Sequence, residues 1–202
     1  REASVLPSLA ARGRLAMPFV WGTAALGLGV SLLSFGLADD ESAAPQVLAL
    51  GCFGLLYLIV FIVAVVMFCR WFHLLVRHAK ARGTPLDVTP AGAVGSFFIP
   101  ILNLVRPYAT AKQIASTEAG VKAVGAWQAL WIVANIVTNV GSRIEGKAGV
   151  AGDVVGLIGS LLFLGAAWAC GQVVNELTGS TEFTPATASA STLTAAAEPS
   201  GP

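Results

Sequence analysis

Four long apolar runs separated by polar segments dominate the hydrophobic pattern of this 202-residue sequence. No Asp, Glu, Lys or Arg occurs within any run, and each has about the 20 residues that a membrane-spanning helix needs. The runs cover residues 18–38, 47–69, 123–142 and 154–175. The pattern therefore predicts four transmembrane helices.

The second run continues into a predicted basic helix over residues 70–82, because no Gly or Pro interrupts it before Gly83. Cationic side chains recur there at spacings of three and four, which places them on one helical face. They are Arg70, His73, Arg77 and Lys80. We expect this face to bind anionic lipid headgroups, with Trp71 at headgroup depth.

Residues 91–107 form a fifth apolar segment that is short for a perpendicular crossing and carries Pro100, Asn103 and Pro107. Proline removes a helical hydrogen bond and leaves a backbone carbonyl without its partner. Within a membrane, such a carbonyl is tolerated only where protein groups or water can bind it. The segment is therefore predicted to re-enter the membrane or to lie at its interface.

The distribution of positive charge favours four crossings over five. With four, ten of the 12 Lys and Arg residues lie on the cytoplasmic side; a fifth crossing reduces that number to nine. Both termini are then predicted to be cytoplasmic. Residues 1–17 would form an N-terminal tail, and the Thr-, Ser-, Ala- and Pro-rich residues 177–202 a disordered C-terminal tail.

Composition agrees with this class of protein: 55% of the residues are hydrophobic and 11% are charged, against about 25% charged in soluble domains. A net charge of +1 gives no reason to expect a nucleic-acid partner. The three cysteines lie in apolar runs without CxxC spacing and are predicted to be small buried hydrophobes. The predicted fold is an all-α integral membrane protein, a bundle of four transmembrane helices plus a short broken segment.

Two features could form a polar site within this bundle. One is the broken segment from Phe98 to Tyr108, which either lines a cavity with free backbone groups or shapes an interfacial hairpin. The other is a set of amides on the third span, which line a polar path or join helices by hydrogen bonds. The candidate residues are Pro100, Asn103, Pro107, Tyr108, Gln128, Asn135 and Asn139.

Motifs for catalysis or metal binding do not occur in the sequence. It contains no Gly-x-Ser-x-Gly, HExxH or Walker motif. His73 and His78 lie about 140° apart on a helix, so they cannot bind one metal from one face. We therefore expect no catalytic residues, no metal and no cofactor, and the protein is predicted not to be an enzyme.

The broken segment also carries a family resemblance. Pro90, Ala93 and Val94 precede Phe97-Phe98-Ile99-Pro100-Ile101, then Asn103-Leu104 and Pro107-Tyr108 follow. This combination, with Arg70, Trp71, Arg77 and Gly83 before it, resembles the bacterial membrane-protein family of domain of unknown function 4328. The resemblance covers roughly residues 47–176 and implies a bacterial multi-pass membrane protein without implying an activity.

Three functional hypotheses remain open from the sequence. The first is a non-enzymatic scaffold or accessory subunit of a membrane complex, which associates with another membrane protein or with copies of itself. The second is a small-solute transporter or channel with a polar path at the Phe98 to Tyr108 segment. The third is haem or quinone binding. In each case the expected location is the bacterial cytoplasmic membrane.

Overall fold

The computed structural model describes residues 6–35, 44–148 and 150–182, and every regular element in these ranges is helical. The α-helices are α1 (Leu6–Phe35), α2 (Ala44–Ala81), α3 (Pro90–Gly95), α4 (Pro100–Ile114), α5 (Glu118–Ala148) and α6 (Val150–Glu182), with a 3₁₀ turn at Ser96–Phe98. Four of the described helices, α1, α2, α5 and α6, are long and apolar enough to cross a membrane. The predicted all-α architecture with four spanning helices is confirmed.

The first and last long helices extend beyond the predicted spans. α1 begins at Leu6, so Pro18 lies inside the helix; Leu9 and Ala16 are fully buried, and this packing holds the extra turns in place. α6 continues to Glu182 because Leu177 is also fully buried. Residues 177–182, predicted to begin the disordered tail, are therefore helical. The predicted end of the first span at residue 38 and the tail from residue 183 onward lie outside the described residues.

The four long helices form an open arrangement in which α6 is the inner helix. α6 packs along α5 and α1, and α1 packs along α2, whereas no Cα atoms of α2 and α5 approach within 8 Å in the described part. The order around the bundle is therefore α2, α1, α6, α5. The first and last helices of this series do not close into a ring.

Glycines allow the closest helix contact, which joins α5 to α6. A Cβ atom added to Gly141 would lie 3.0 Å from the backbone nitrogen of Gly156, and one added to Gly159 would collide with the Thr138 hydroxyl. Larger residues at these positions would separate the two backbones. Helices α5 and α6 thus meet at a close interface that depends on glycine.

The helical extension of α2 ends in a capping motif at Gly83. Gly83 has a φ of 84°, its amide donates to Lys80 O at 2.9 Å, and the Thr84 amide donates to Ala79 O at 3.0 Å. This pair of bonds is the Schellman arrangement, which needs a left-handed residue that glycine adopts without strain. The helix α2 is therefore continuous through Arg70, His73, Arg77 and Lys80, as the sequence predicts.

The broken segment consists of α3, the 3₁₀ turn and α4. Thr89 caps α3 by accepting the Gly92 amide at 3.0 Å, and Pro90 occupies its first turn. Ile99 is extended and Pro100 begins α4, so the chain breaks just before Pro100. Proline suits a first helical position because its missing N–H has no intrahelical acceptor there.

Both ends of this segment lie at the same end of the bundle. Before it, the Arg82 Nη2 donates to Ser180 O at 3.3 Å; after it, Thr117 Oγ1 donates to Glu176 Oε2 at 3.1 Å. Both acceptors belong to the last turns of α6, so the segment leaves and returns on one side. This return to one end is what a re-entrant or interfacial segment requires, and the depth of the segment in a membrane stays a prediction. We call this side the basic end, since Arg12, Arg70, His73, Arg77 and Lys80 lie there.

One face of the segment exposes a set of apolar side chains, and Ile101 at 79% exposure is the most open of them. The others are Phe98, Ile99, Leu104 and Val105. In a membrane protein such a face contacts lipid. The face is therefore suited to contact with lipid.

The main hydrophobic core lies at the basic end rather than halfway along the bundle. It joins the extension of α2 to α4, to the start of α5 and to the end of α6. Trp71 is fully buried in this core, and its ring contacts those of Phe68 and Phe72. Its depth in a membrane stays a prediction. Among the cysteines, Cys170 is buried, Cys69 is half-buried and Cys52 is exposed; the prediction of burial is wrong for Cys52, which lies on an outward face of α2.

Candidate functional site

A cavity of about 590 Å³ lies between the four long helices. Its wall is mainly aliphatic and aromatic, with side chains from α1, α2, α5 and α6 and with the 3₁₀ turn and α4 at the basic end. The polar side chains in the wall are Thr23, Tyr57, Asn103, Gln128, Asn135 and Ser160, and none of the described lining residues is charged. Such a wall suits an apolar or amphiphilic ligand with a few polar groups.

The cavity extends along about a third of α2. On α2 its lining runs from Tyr57 to Cys69, which corresponds to about 18 Å at 1.5 Å per residue. One leaflet contributes about 15 Å of the roughly 30 Å hydrocarbon core. Cys69 is also the last residue before Arg70 and the charged extension of α2. The cavity therefore has the length of one leaflet and ends where charged residues begin.

A side opening separates α2 from α5. Their backbones stay apart, and the ring contact between Phe68 and Trp127, with centroids 5.8 Å apart, bridges them near the basic end. Along the rest of the gap, Phe61 lines the cavity and is itself exposed. A ligand could therefore enter sideways from the bilayer without crossing the bundle.

Aromatic rings close the cavity toward the core. Phe68 contacts Phe97 at 5.8 Å and Phe72 at 6.2 Å between ring centroids, and Phe97 contacts Phe72 at 5.2 Å. The two contacts of Phe97 are edge to face, the geometry that aromatic quadrupoles favour. These rings fix the 3₁₀ turn against α2 and give the cavity a rigid floor.

Contacts at the opposite end of the cavity join α6 to both of its neighbours. Ser31 Oγ and Ser160 Oγ are hydrogen-bonded at 2.7 Å, which joins α1 to α6. Gly159 lies against Thr138 so closely that no side chain would fit between α5 and α6. Helices α1, α5 and α6 are therefore held together at this end of the cavity.

The structure brings together three of the seven candidate polar residues. Asn103, Gln128 and Asn135 line the cavity. Pro100 is exposed at the start of α4, and Pro107 is buried within that helix. Tyr108 lies beneath Lys112, whose Nζ is 5.8 Å from the ring centroid. Asn139 is exposed and its amide donates within α5 to Asn135 O.

Gln128 connects the two features that the sequence singled out. Its Nε2 donates to Leu104 O on α4 at 3.0 Å, and the side chain is buried. Leu104 lies within α4, one turn before Pro107. The amide therefore joins α5 to a carbonyl of the broken segment. By contrast, Asn135 uses its Nδ2 within α5, where it donates to Trp131 O at 2.8 Å.

A second, smaller recess of about 310 Å³ adjoins the cavity at the basic end. It is lined by Arg12, Cys69, Arg70, His73, Leu74 and Val94, and Cys69 lines both spaces. Arg77 and Lys80 lie on the same cationic face of α2 as Arg70 and His73 but do not line the recess. Two of the four predicted headgroup-binding residues thus share this recess with a cation from α1.

The family model described as Domain of unknown function (DUF4328) matches residues 36–182. The chain belongs to the DUF4328 family. No curated protein and no solved structure matches it.

The DUF4328 region contains α2 to α6 and therefore most of the cavity wall. Within its motif, Phe97 joins the aromatic floor, Asn103 lines the cavity and Leu104 accepts the Gln128 hydrogen bond. Residues of the motif thus lie at the basic end of the cavity. Helix α1, which precedes the matched residues, completes the wall with Val20, Thr23, Ala24 and Gly27.

Several residues of the site escaped the sequence analysis. Arg12 was placed in a tail, yet α1 carries it to the recess. Thr23, Tyr57 and Ser160 are isolated polar residues in apolar runs. Their neighbours in the sequence do not indicate whether each side chain faces the protein interior or the lipid. For Arg12 the sequence does carry a signal: the residues before Pro18 favour a helix, which extends α1 back to include Arg12.

Proposed function

We propose that this DUF4328 protein is a non-enzymatic membrane protein that binds a lipid-like molecule in its intramembrane cavity. The observation that carries the proposal is the cavity itself: about 590 Å³, with a largely apolar wall, open sideways between α2 and α5. Such a site takes up a molecule that is already dissolved in the bilayer.

The polar residues of the wall support an amphiphile rather than a pure hydrocarbon. Asn103 and Gln128 lie toward the basic end, whereas Tyr57, Asn135 and Ser160 lie deeper. A buried hydrogen bond in a membrane protein contributes about 1 kcal/mol. These side chains therefore orient a ligand by its carbonyl or hydroxyl groups, while the aromatic and aliphatic wall supplies most of the affinity.

Transport of a hydrophilic solute is the second candidate, because three amides do share the cavity. A path for such a solute has to continue to the opposite side, where the Ser31–Ser160 hydrogen bond joins α1 to α6 and Gly159 lies against Thr138. The largely apolar wall and the separation of α2 from α5 favour binding over transport. We propose a role as an accessory component of the bacterial cytoplasmic membrane, with the basic end facing the cytoplasm.

A cavity-filling substitution tests the proposal. Ala64 is buried, lines the cavity from α2 and would carry a phenyl ring into it after Ala64→Phe; Val66, two residues later, is exposed on the same helix and does not line the cavity. The full chain, purified from membranes in mild detergent, is expected to retain about one lipid-like molecule, detected by native mass spectrometry. A64F should lose this molecule and V66F should keep it.

Equal retention by A64F and the unmodified chain, or no retained molecule in either, would overturn the proposal. Identification of the retained mass also separates the rival ligands. A quinone would replace the lipid in the proposal, and a hydrophilic solute would favour the transport candidate.

A further inference from the structure

We propose that one anionic phospholipid occupies both spaces, with its phosphate in the recess lined by Arg12, Arg70 and His73 and one acyl chain in the cavity. This inference rests on the proposed function and adds the chemical class of the ligand. The inference depends on one observation: Cys69 lines both the cationic recess and the apolar cavity, so the two spaces adjoin.

The recess has the charge that a phosphate requires. Arg12 comes from α1, and Arg70 and His73 come from successive turns of α2, so two helices supply its cations. Within the described residues, the ion pair found joins Lys122 to Glu118 on α5, and none of the described carboxylates pairs with Arg12 or Arg70. Arginine donates several N–H groups in a planar fork that matches phosphate oxygens.

The depth of the two spaces matches that of a phospholipid in one leaflet. The uncharged run of α2 ends at Cys69, and Arg70 begins its charged extension. The apolar lining continues about 18 Å from Cys69 to Tyr57. A headgroup at the recess therefore places an acyl chain along the cavity, parallel to the chains of the surrounding leaflet.

The side opening provides the route. An acyl chain can pass between α2 and α5 because their backbones do not meet, whereas the headgroup stays at the membrane surface. Phe98, at the edge of this opening, is exposed and also lines the cavity. The lipid then moves laterally into the bundle and need not leave its leaflet.

The cationic face of α2 offers matched variants that test the role of the recess. Arg70 lines the recess, whereas Arg77, on the same helical face two turns later, does not. Arg12→Gln and Arg70→Gln remove recess cations, and Arg77→Gln removes an equal charge outside it. Arg12→Lys keeps the charge and controls for an effect of Arg12→Gln on folding.

The experiment measures quenching of tryptophan fluorescence by brominated lipids of identical chains, with either a phosphatidylglycerol or a phosphatidylcholine headgroup. Trp127 and Trp131 line the cavity and report a chain that enters it, provided that the exposed Trp21 and Trp168 are replaced by Phe in every variant. The full chain in detergent should bind the anionic lipid at least about tenfold more tightly than the neutral one. R12Q and R70Q should abolish this preference, while R77Q and R12K should retain it.

The outcomes distinguish the two proposals. Equal binding of both lipids, with A64F still blocking both, overturns the anionic-lipid inference and leaves the cavity proposal standing. Quenching that A64F does not change overturns the cavity proposal. If R77Q and R70Q lose the preference for the anionic lipid equally, the preference comes from the general charge of the surface. That result also overturns the proposal that the recess binds the phosphate.

Discussion

Phe68 on α2 and Trp127 on α5 meet with ring centroids 5.8 Å apart and an interplanar angle of 45°. This contact joins two helices whose backbones stay more than 8 Å apart in the described part of the chain. The ring of Phe68 also contacts Trp71, Phe72 and Phe97. One side chain thus connects the floor of the cavity to both edges of its opening.

The Phe68→Ala variant is expected to lower stability substantially, because it removes the ring at the centre of this cluster. Large-to-small changes of buried Phe cost about 3–5 kcal/mol, and Phe68 is half-buried, so we expect a value near the lower end. Thermal unfolding in detergent measures the change. Phe53→Ala on the same helix, where the ring is 40% exposed, is the control and should have little effect; equal losses in both variants would contradict the role of the cluster.

Gln128→Leu tests the connection between α5 and the broken segment. The substitution keeps the approximate size of the side chain but leaves Leu104 O without the donor found at 3.0 Å. A loss of about 1 kcal/mol is expected from data on hydrogen bonds between membrane helices. Asn139→Leu should cost much less, because Asn139 is exposed and bonds only within its own helix. Chemical or thermal unfolding measures both losses of stability. A larger loss in Asn139→Leu than in Gln128→Leu would contradict the role of the Gln128 hydrogen bond.

Gly159→Ala should weaken the α5–α6 interface, since its new methyl group would collide with the Thr138 hydroxyl and lie 3.1 Å from the Thr138 backbone nitrogen. Overpacking of this kind costs about 1–3 kcal/mol. Gly156→Ala is the matched control, because a Cβ there meets no atom within 4 Å and alanine favours the helix. Unfolding experiments that find the two variants equally stable would show that the helices are free to move apart.

The membrane orientation can be tested with single cysteines in a chain in which Cys52, Cys69 and Cys170 are replaced by alanine. Lys80, Lys112 and Arg143 are exposed, and each is changed to cysteine in turn. A membrane-impermeant maleimide should label positions 80 and 112 from the cytoplasmic side and position 143 from the other side. Labelling of 80 and 112 from opposite sides would mean that the broken segment crosses the membrane.

The hydrophobic pattern was sufficient for the features that depend on residues close together in the chain. It predicted four spanning helices, the continuation of α2 to Gly83 and the break around Pro100, because apolar run length, helix capping and proline chemistry are local properties. It did not predict that Pro100 begins a helix or that α1 starts at Leu6. Those boundaries depend on the packing of residues such as Leu9, which is fully buried.

The inward and outward faces of the apolar helices were beyond the reach of the sequence. In a membrane both faces are apolar, so a helical wheel tells little about which face meets protein and which meets lipid. Trp71, expected among headgroups, is buried, and Cys52, expected to be buried, is exposed. Among the amides, Gln128 reaches another helix, whereas Asn139 does not.

By itself, therefore, the sequence determined that this is a four-span membrane protein of the DUF4328 family with a basic helix and a broken segment. Only the tertiary structure decided that Asn103, Gln128 and Asn135 share a cavity, that Arg12 joins Arg70 and His73, and that α2 and α5 remain apart. The physical reason is that lipid solvates apolar side chains as well as a protein core does. Helix association then depends on close packing and a few hydrogen bonds between residues that are distant in the chain.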